Sequence, residues 1–318
     1  MKWTANCFNT SRVVLIAAVF VIWNSIAWAD EKLPVFVSIV PQKFFVQQIG
    51  GELVDVSVLV EPGASPETYE PKPQQMAALS RTKIYFAIGV PFEKVWLGKI
   101  ISASPNMLVV RTDTGIEKIP MKAHQHPNEK IHPHDPEEYG PRQGPKLDDA
   151  DNTARQRLLD PHIWLSPPLV KIQARHIFDA LQNFDPSHGV RYLTNYRKFL
   201  RDLDEIDTEL KDIFAGKKGL EFFVFHPSWA YFAQAYGLKQ ISIEIEGKDP
   251  KPAQLKQIIQ HAKSKDIKVL FVQPQFSTKS AEIIAKAIGA QIVFANPLAA
   301  DWADNLRRQA REFKAALK

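Results

Sequence analysis

Cysteine is almost absent: Cys7 is the only one in 318 residues. No disulfide framework is available, so stability has to come from a hydrophobic core rather than covalent staples. Cys7 also precedes the apolar run of the N-terminus, which excludes it as the lipid-bearing cysteine that follows such a run in a bacterial lipoprotein. No basic stripe interleaved with aromatics is found, and a formal charge of only +5 speaks against a nucleic-acid partner. The apolar run Val13 to Ile22 is shorter than the roughly 20 residues that cross a bilayer. Neither a His-Glu-x-x-His helix nor a Gly-x-Ser-x-Gly elbow occurs, which removes two common hydrolase signatures.

What the N-terminus does contain is an export pattern. Lys2 and Arg12 supply positive charge before the apolar run, and Ala27-Trp28-Ala29 reads as a small-residue cleavage site before Asp30. Residues 1–29 are therefore expected to be a signal peptide, with an uncleaved anchor as the alternative. Their removal from 318 leaves 289 residues, no cysteine, and a charge lowered from +5 to +3 by the loss of Lys2 and Arg12. That length suits two domains.

Histidine is concentrated instead of cysteine. Between His124 and His134, eleven residues hold four of the nine histidines as two His-x-His pairs, His124/His126 and His132/His134. In an extended segment, residues i and i+2 share a face, so each pair can offer two nitrogens to one ion. The surrounding stretch, about 120–158, is rich in proline and acid and poor in large apolar residues, which marks an insertion without a packed core. The opposing reading is a solvated linker with histidine as polar filler.

Around this insertion, strands and helices alternate. Strands are expected at 34–40, 53–60, 84–88 and 108–111, with helices at 42–49 and 74–80. A long amphipathic helix spans 187–214, with Val190, Leu193, Leu200, Leu203, Ile206, Leu210 and Ile213 on one face. Beyond it, strands at 221–225, 241–245, 268–272 and 291–294 alternate with helices at 228–236, 255–264, 279–288 and 302–316. The expected fold class is α/β: two (β/α) lobes with mainly parallel sheets joined by one long helix. The expected boundaries are 30–186 for the N-terminal lobe, 187–215 for the linking helix and 216–318 for the C-terminal lobe.

Two histidines outside the insertion stand out by position. His162 lies in Asp160-Pro161-His162-Ile163-Trp164-Leu165-Ser166-Pro167, between prolines that fix a non-helical backbone. His226 lies in Phe225-His226-Pro227-Ser228-Trp229, where an apolar strand gives way to a helix, and open α/β sheets place ligands at such carboxyl ends. His176, His188 and His261 sit in helical or helix-entry surroundings with no partner motif and are read as ordinary hydrogen-bonding residues.

These two segments, together with Pro62-Gly63-Ala64-Ser65-Pro66-Glu67-Thr68-Tyr69-Glu70-Pro71 and the run Tyr231 to Gly237, resemble the ZnuA-like zinc-binding receptors of bacterial ABC transporters. That class also holds manganese receptors. The resemblance covers essentially the whole chain after residue 29, and the His-rich insertion is similar to that of many zinc members. It implies a metal cleft between the lobes, with His162 and His226 as ligands. The third ligand position falls on Glu67, where the family normally has His. Glu67 suits a His₂Glu zinc set, or it turns away and leaves Glu70 or a loop histidine to complete the site. A fourth position, Asp in many members, falls on Asn296, and solvent is the alternative there. Two imidazoles favour zinc over manganese, whereas Glu67 pulls the other way. Copper and nickel are expected to bind such a site in vitro as well.

The resemblance implies a periplasmic solute-binding protein, monomeric and not an enzyme, that captures Zn²⁺ and passes it to an inner-membrane ABC permease. Set against it are a periplasmic zinc buffer or chaperone using the His-rich loop, an adhesin-like role, and a zinc hydrolase built on Glu67, His162 and His226. No organic cofactor is expected.

Overall fold

The computed structural model describes residues 31–121, 159–244, 252–276 and 278–317. The expected signal segment 1–29 and the loop histidines His124, His126, His132 and His134 lie outside the described residues. Leu33–Lys318 forms one compact unit.

The first half contains β1 (Leu33–Ile39), α1 (Val40–Gly50), β2 (Val54–Val60), α2 (Pro73–Leu79), β3 (Ile84–Ala87), α3 (Pro91–Ala103) and β4 (Leu108–Arg111). Two long helices follow, α4 (Pro167–Phe184) and α5 (Gly189–Ile213). The second half contains β5 (Glu221–Val224), α6 (Ala230–Ala235), β6 (Lys239–Ser242), α7 (Pro252–Ser264), β7 (Val269–Val272), α8 (Lys279–Ile288), β8 (Gln291–Phe294) and α9 (Trp302–Ala316). Each half makes a four-stranded, all-parallel sheet with the same order, β2-β1-β3-β4 and β6-β5-β7-β8. The α/β fold with two lobes is as the alternation of strand and helix implies.

Burial explains the strand order. Val35 to Ile39, Ile84 to Ala87 and Leu270 to Val272 are buried without alternation, as strands covered by helices on both faces must be. The edge strands β4 and β8 leave Leu108 and Phe294 exposed. In both sheets the order reverses between the first and third strands, and the carboxyl ends at such a switch point are where open α/β sheets place ligands.

Two helices lie where the sequence reading placed none. In α4, Val170, Ala174, Ile177, Phe178 and Leu181 recur with helical spacing and are all buried. Its start, Pro167-Pro168, reads as the tail of a rigid turn, but proline at the first helical position is preorganised and loses no hydrogen bond. Helix α3 likewise opens on Pro91. The β6 strand also shifts, to Lys239–Ser242 instead of 241–245, because its register sets Glu221 beside Lys239.

The 25-residue α5 is about 37 Å long at 1.5 Å per residue. It packs against α1 and α4 on one side and α9 on the other. One hydrophobic cluster runs from β1 and β3 through Tyr192, Phe199 and Leu203 of α5 to Phe222, Phe271 and Phe313 of the second half. A smaller cluster, with Phe223, Ile258 and Ile284, fills the other face of the second sheet. The two lobes thus share a core. The base of the insertion is tied down: Pro120 pairs with Leu159 and the Asp160 amide donates to the Ile119 carbonyl at 2.9 Å.

Candidate metal centre

Glu67, His162 and His226 converge: one ligand atom from each lies within 4.8 Å of the others. The three arrive from different directions. Glu67 sits in the turn after β2, which is folded by Thr68 N–H donating to Ser65 O (3.3 Å) and anchored by Phe92 N–H donating to Pro66 O (3.1 Å). Ser65 also donates its hydroxyl to the Glu67 carboxylate. His162 opens a short 3₁₀ turn, Ile163–Leu165, on the connection between the insertion and α4. His226 follows β5, where Pro227 stops the strand and the Phe225 amide still pairs with Phe271 O at 2.8 Å.

Both imidazoles are buried, each 3% exposed, and each is oriented by a carboxylate. His162 Nδ1 lies 2.7 Å from Asp160 Oδ1, which also accepts the His162 amide at 2.8 Å. His226 Nδ1 lies 2.6 Å from Glu244 Oε2. Glu244 is placed there by β-sheet extension, its amide donating to Phe225 O at 2.9 Å. A proton held on Nδ1 by a carboxylate leaves Nε2 with its lone pair for a metal, the arrangement that tunes histidine ligands generally. The rings meet edge to face, centroids 5.4 Å apart, with Trp164 against His162 (5.1 Å) and Phe276 stacked on His226 (4.8 Å).

The Nε2 atoms point at Glu67. Its Oε1 is 3.3 Å from His226 Nε2 and 3.8 Å from His162 Nε2. Zinc with ligands near 2.05 Å requires donor-to-donor separations of roughly 3.4 Å, so the Glu67–His226 gap already suits it and the Glu67–His162 gap has to contract. His226 Nε2 is buried and, despite its nearness to Glu67, makes no hydrogen bond of acceptable geometry. An orphaned buried nitrogen is costly unless something else satisfies it. A divalent cation does so, and the donor chemistry fits one.

The electrostatics show what takes the cation's place in its absence. Burial pushes the His226 pKa down, but Glu244 and Glu67 outweigh it and raise it to about 9. Burial pushes Glu67 up, but the attraction of the neighbouring His226 and His162 and the hydrogen bond from Ser65 outweigh that and lower it to about 2. A raised His226 pKa means that an entering cation competes with a proton for this imidazole.

Asn296 is not among the residues lining the cavity beside the three. Its Oδ1 accepts N–H groups from Gln275 (2.8 Å) and Leu298 (3.0 Å). Glu70 is exposed, whereas Glu67 lines the cavity. That cavity, about 220 Å³ of space partly open to solvent, is lined from both lobes, by Ser65, Glu67, His162 and Trp164 and by Gln273, Gln275 and Phe276. Three participants escaped the sequence reading. Asp160 was visible within its motif but carried no assigned role. Glu244 is 18 residues from His226, and only the β5–β6 register joins them. Tyr231 bridges the lobes, its hydroxyl accepting the Ile119 amide (3.1 Å) and donating to Asp160 O (2.8 Å).

Comparison with known proteins identifies the family. Residues 35–316 match the family model of zinc-uptake complex component A, periplasmic. A crystal structure of ZnuA is 41% identical and superposes with a TM-score of 0.77, over 90% of this chain and 99% of that one. A ZnuA deletion mutant with zinc bound gives the same identity and score over 90% and 98%. The high-affinity zinc uptake system protein ZnuA of Bacillus subtilis is 26% identical over 275 residues, 84% of this chain and 79% of that protein. These relatives are metal-binding solute receptors of ABC uptake systems and not enzymes, and the chain belongs to the zinc-uptake complex component A family.

Proposed function

We propose that the cleft captures one Zn²⁺ through Nε2 of His162, Nε2 of His226 and the carboxylate of Glu67, and that the loaded protein delivers it to an inner-membrane ABC permease. The observation that carries the reading is the orphaned Nε2 of a buried, carboxylate-oriented His226, 3.3 Å from Glu67. Two imidazoles with one carboxylate suit zinc better than manganese. Zinc bound to a 41% identical ZnuA deletion mutant supports the same cargo.

In this reading the chain is exported by residues 1–29, works as a periplasmic monomer, and divides at the linking helix 187–215 into lobes 30–186 and 216–318. The histidines at 124, 126, 132 and 134 are accessory, raising the local metal concentration or passing ions inward. Capture needs neutral imidazoles, so a proton leaves as the ion enters. Because the donors come from both lobes, occupancy is tied to their relative orientation, which the permease reads from the surface.

The test is competition titration of zinc on protein lacking 122–158, alongside the same protein with His162→Ala and His226→Ala. One tight site that survives loop removal and disappears with the two substitutions is expected. Loss of tight binding on loop removal alone would make the protein a His-loop buffer.

A further inference from the structure

Zinc in protein sites takes four ligands as a rule, and Glu67, His162 and His226 supply three. Asn296 has no free side-chain oxygen, and its hydrogen bonds fix a neighbour. The Leu298 amide can only donate, so Asn296 presents Oδ1 to it, and that oxygen can only accept. Gln275 must therefore turn its NH₂ group toward Asn296, at 2.8 Å, leaving its own Oε1 directed elsewhere. Gln275 Oε1 is buried and finds no hydrogen-bond partner. Besides His226 Nε2, it is the only such buried side-chain polar atom among the described residues that line the cavity or hold the three-residue site, apart from Asp160 Oδ2 behind His162.

Its position matches the need. Gln275 lines the same cavity as Glu67 and His162, and the next residue, Phe276, lies against the His226 ring with an interplanar angle of 24°. A buried amide oxygen without a donor bears its full desolvation penalty, which a cation beside it would remove. Building on the three-residue site proposed above, we propose that Gln275 Oε1 is the fourth donor and a specificity-determining residue for the captured ion. Asn296 then acts as the positioning residue that aims it. The set becomes two nitrogens, one charged oxygen and one neutral oxygen. A neutral fourth donor withholds the second carboxylate that would favour manganese.

The experiment compares wild type, Gln275→Leu, Gln275→Glu and His226→Ala by zinc and manganese competition and by the visible spectrum of the Co²⁺ form. Gln275→Leu is expected to weaken zinc about tenfold and to alter the cobalt d–d bands. Gln275→Glu should keep zinc binding and narrow the preference for zinc over manganese about tenfold. If Gln275→Leu leaves affinity and spectrum unchanged while His226→Ala abolishes the site, Gln275 is not a donor and the three-residue site stands. If His226→Ala itself keeps tight binding and the same spectrum, the cleft reading fails and this inference falls with it. Gln275→Glu carries the test should the Leu variant not fold. An unchanged zinc-over-manganese ratio in it overturns the proposal.

Discussion

The two lobes repeat one topology and put polar residues at the same place, yet only one of those places is left incomplete. At the carboxyl edge of the first sheet, Glu93 is buried and fully engaged. Its Oε1 accepts the Ser38 hydroxyl (2.5 Å) and the Ile88 amide (3.0 Å), and its Oε2 accepts the Gly89 amide (2.8 Å). Ser38 Oγ also contacts Tyr85 Oη at 2.5 Å, and Gln42 links the Ser38 amide (3.1 Å) to Thr112 Oγ1 (3.2 Å). Gly89 has φ +83°, which strains any side chain, and a Cβ there would displace the Lys118–Asp113 pair, lying 2.2 Å from Lys118 Nζ and 2.4 Å from Asp113 Oδ2. At the equivalent edge of the second sheet, His226 Nε2 and Gln275 Oε1 have no hydrogen-bond partners. Both clusters are buried and polar, so burial alone does not identify a site. Incompleteness beside a cavity is the better sign: a closed network holds a lobe together, whereas unpartnered atoms next to Glu67 and the cavity can take a ligand.

The sharpest way to break this contrast is to delete one residue from each edge. His226→Ala should weaken zinc by about a hundredfold or more, the share of one ligand in a structural zinc site. It should leave the metal-free protein folded. Glu93→Ala should do the reverse, costing about 2–4 kcal/mol of stability by stranding three donors. Its folded fraction should bind zinc as wild type does. Zinc titration and denaturant unfolding on both variants check this, and a Glu93 variant defective in affinity would merge the two roles.

Next in size is the carboxylate behind the ligand. Glu244→Gln keeps an acceptor for His226 Nδ1 but removes its charge, and zinc affinity should fall about tenfold. An unchanged value would mean that Pro227 and Phe276 alone orient the ring.

A comparable effect belongs to pH. His226, raised from 6.5 to about 9, stabilises the metal-free fold fully below pH 6.5, and that contribution disappears as pH rises through 9. Glu67, lowered from 4.5 to about 2, contributes above pH 4.5 and loses its contribution as pH falls through 2. Zinc must displace the His226 proton, so close to one proton per ion should be released at pH 7. Affinity should rise about tenfold per pH unit up to about 9. Calorimetry in buffers of different ionisation enthalpy counts that proton, and zero release would show His226 already neutral. The smallest effect sharpens the link between lobes. Tyr231→Phe removes bonds to Ile119 and Asp160 and should cost about 1 kcal/mol by denaturant unfolding.

The sequence made most of the fold legible because the second half is punctuated cleanly. The observed ends of α8, β8 and α9 coincide with the expected ones, set by helical periodicity and by Gly289 in the left-handed region at φ +70°. Helix α4 was hidden by a Pro-Pro start that marks a helix entrance as easily as a turn. At the site, His162 and His226 stood out by their prolines and strand end. Glu67 over Glu70 could not be chosen from spacing, because only the folded turn points one inward. Gln275 and Glu244 gave no local signal at all, since strand register and cross-lobe packing bring them in.

X-ray absorption at the zinc edge, on full-length protein loaded with one equivalent of metal, tests the central claim most directly. Two imidazoles with the remaining donors oxygen is the result expected of the cleft. Three or more imidazoles would contradict it, and would place the tight site among the histidines of the insertion.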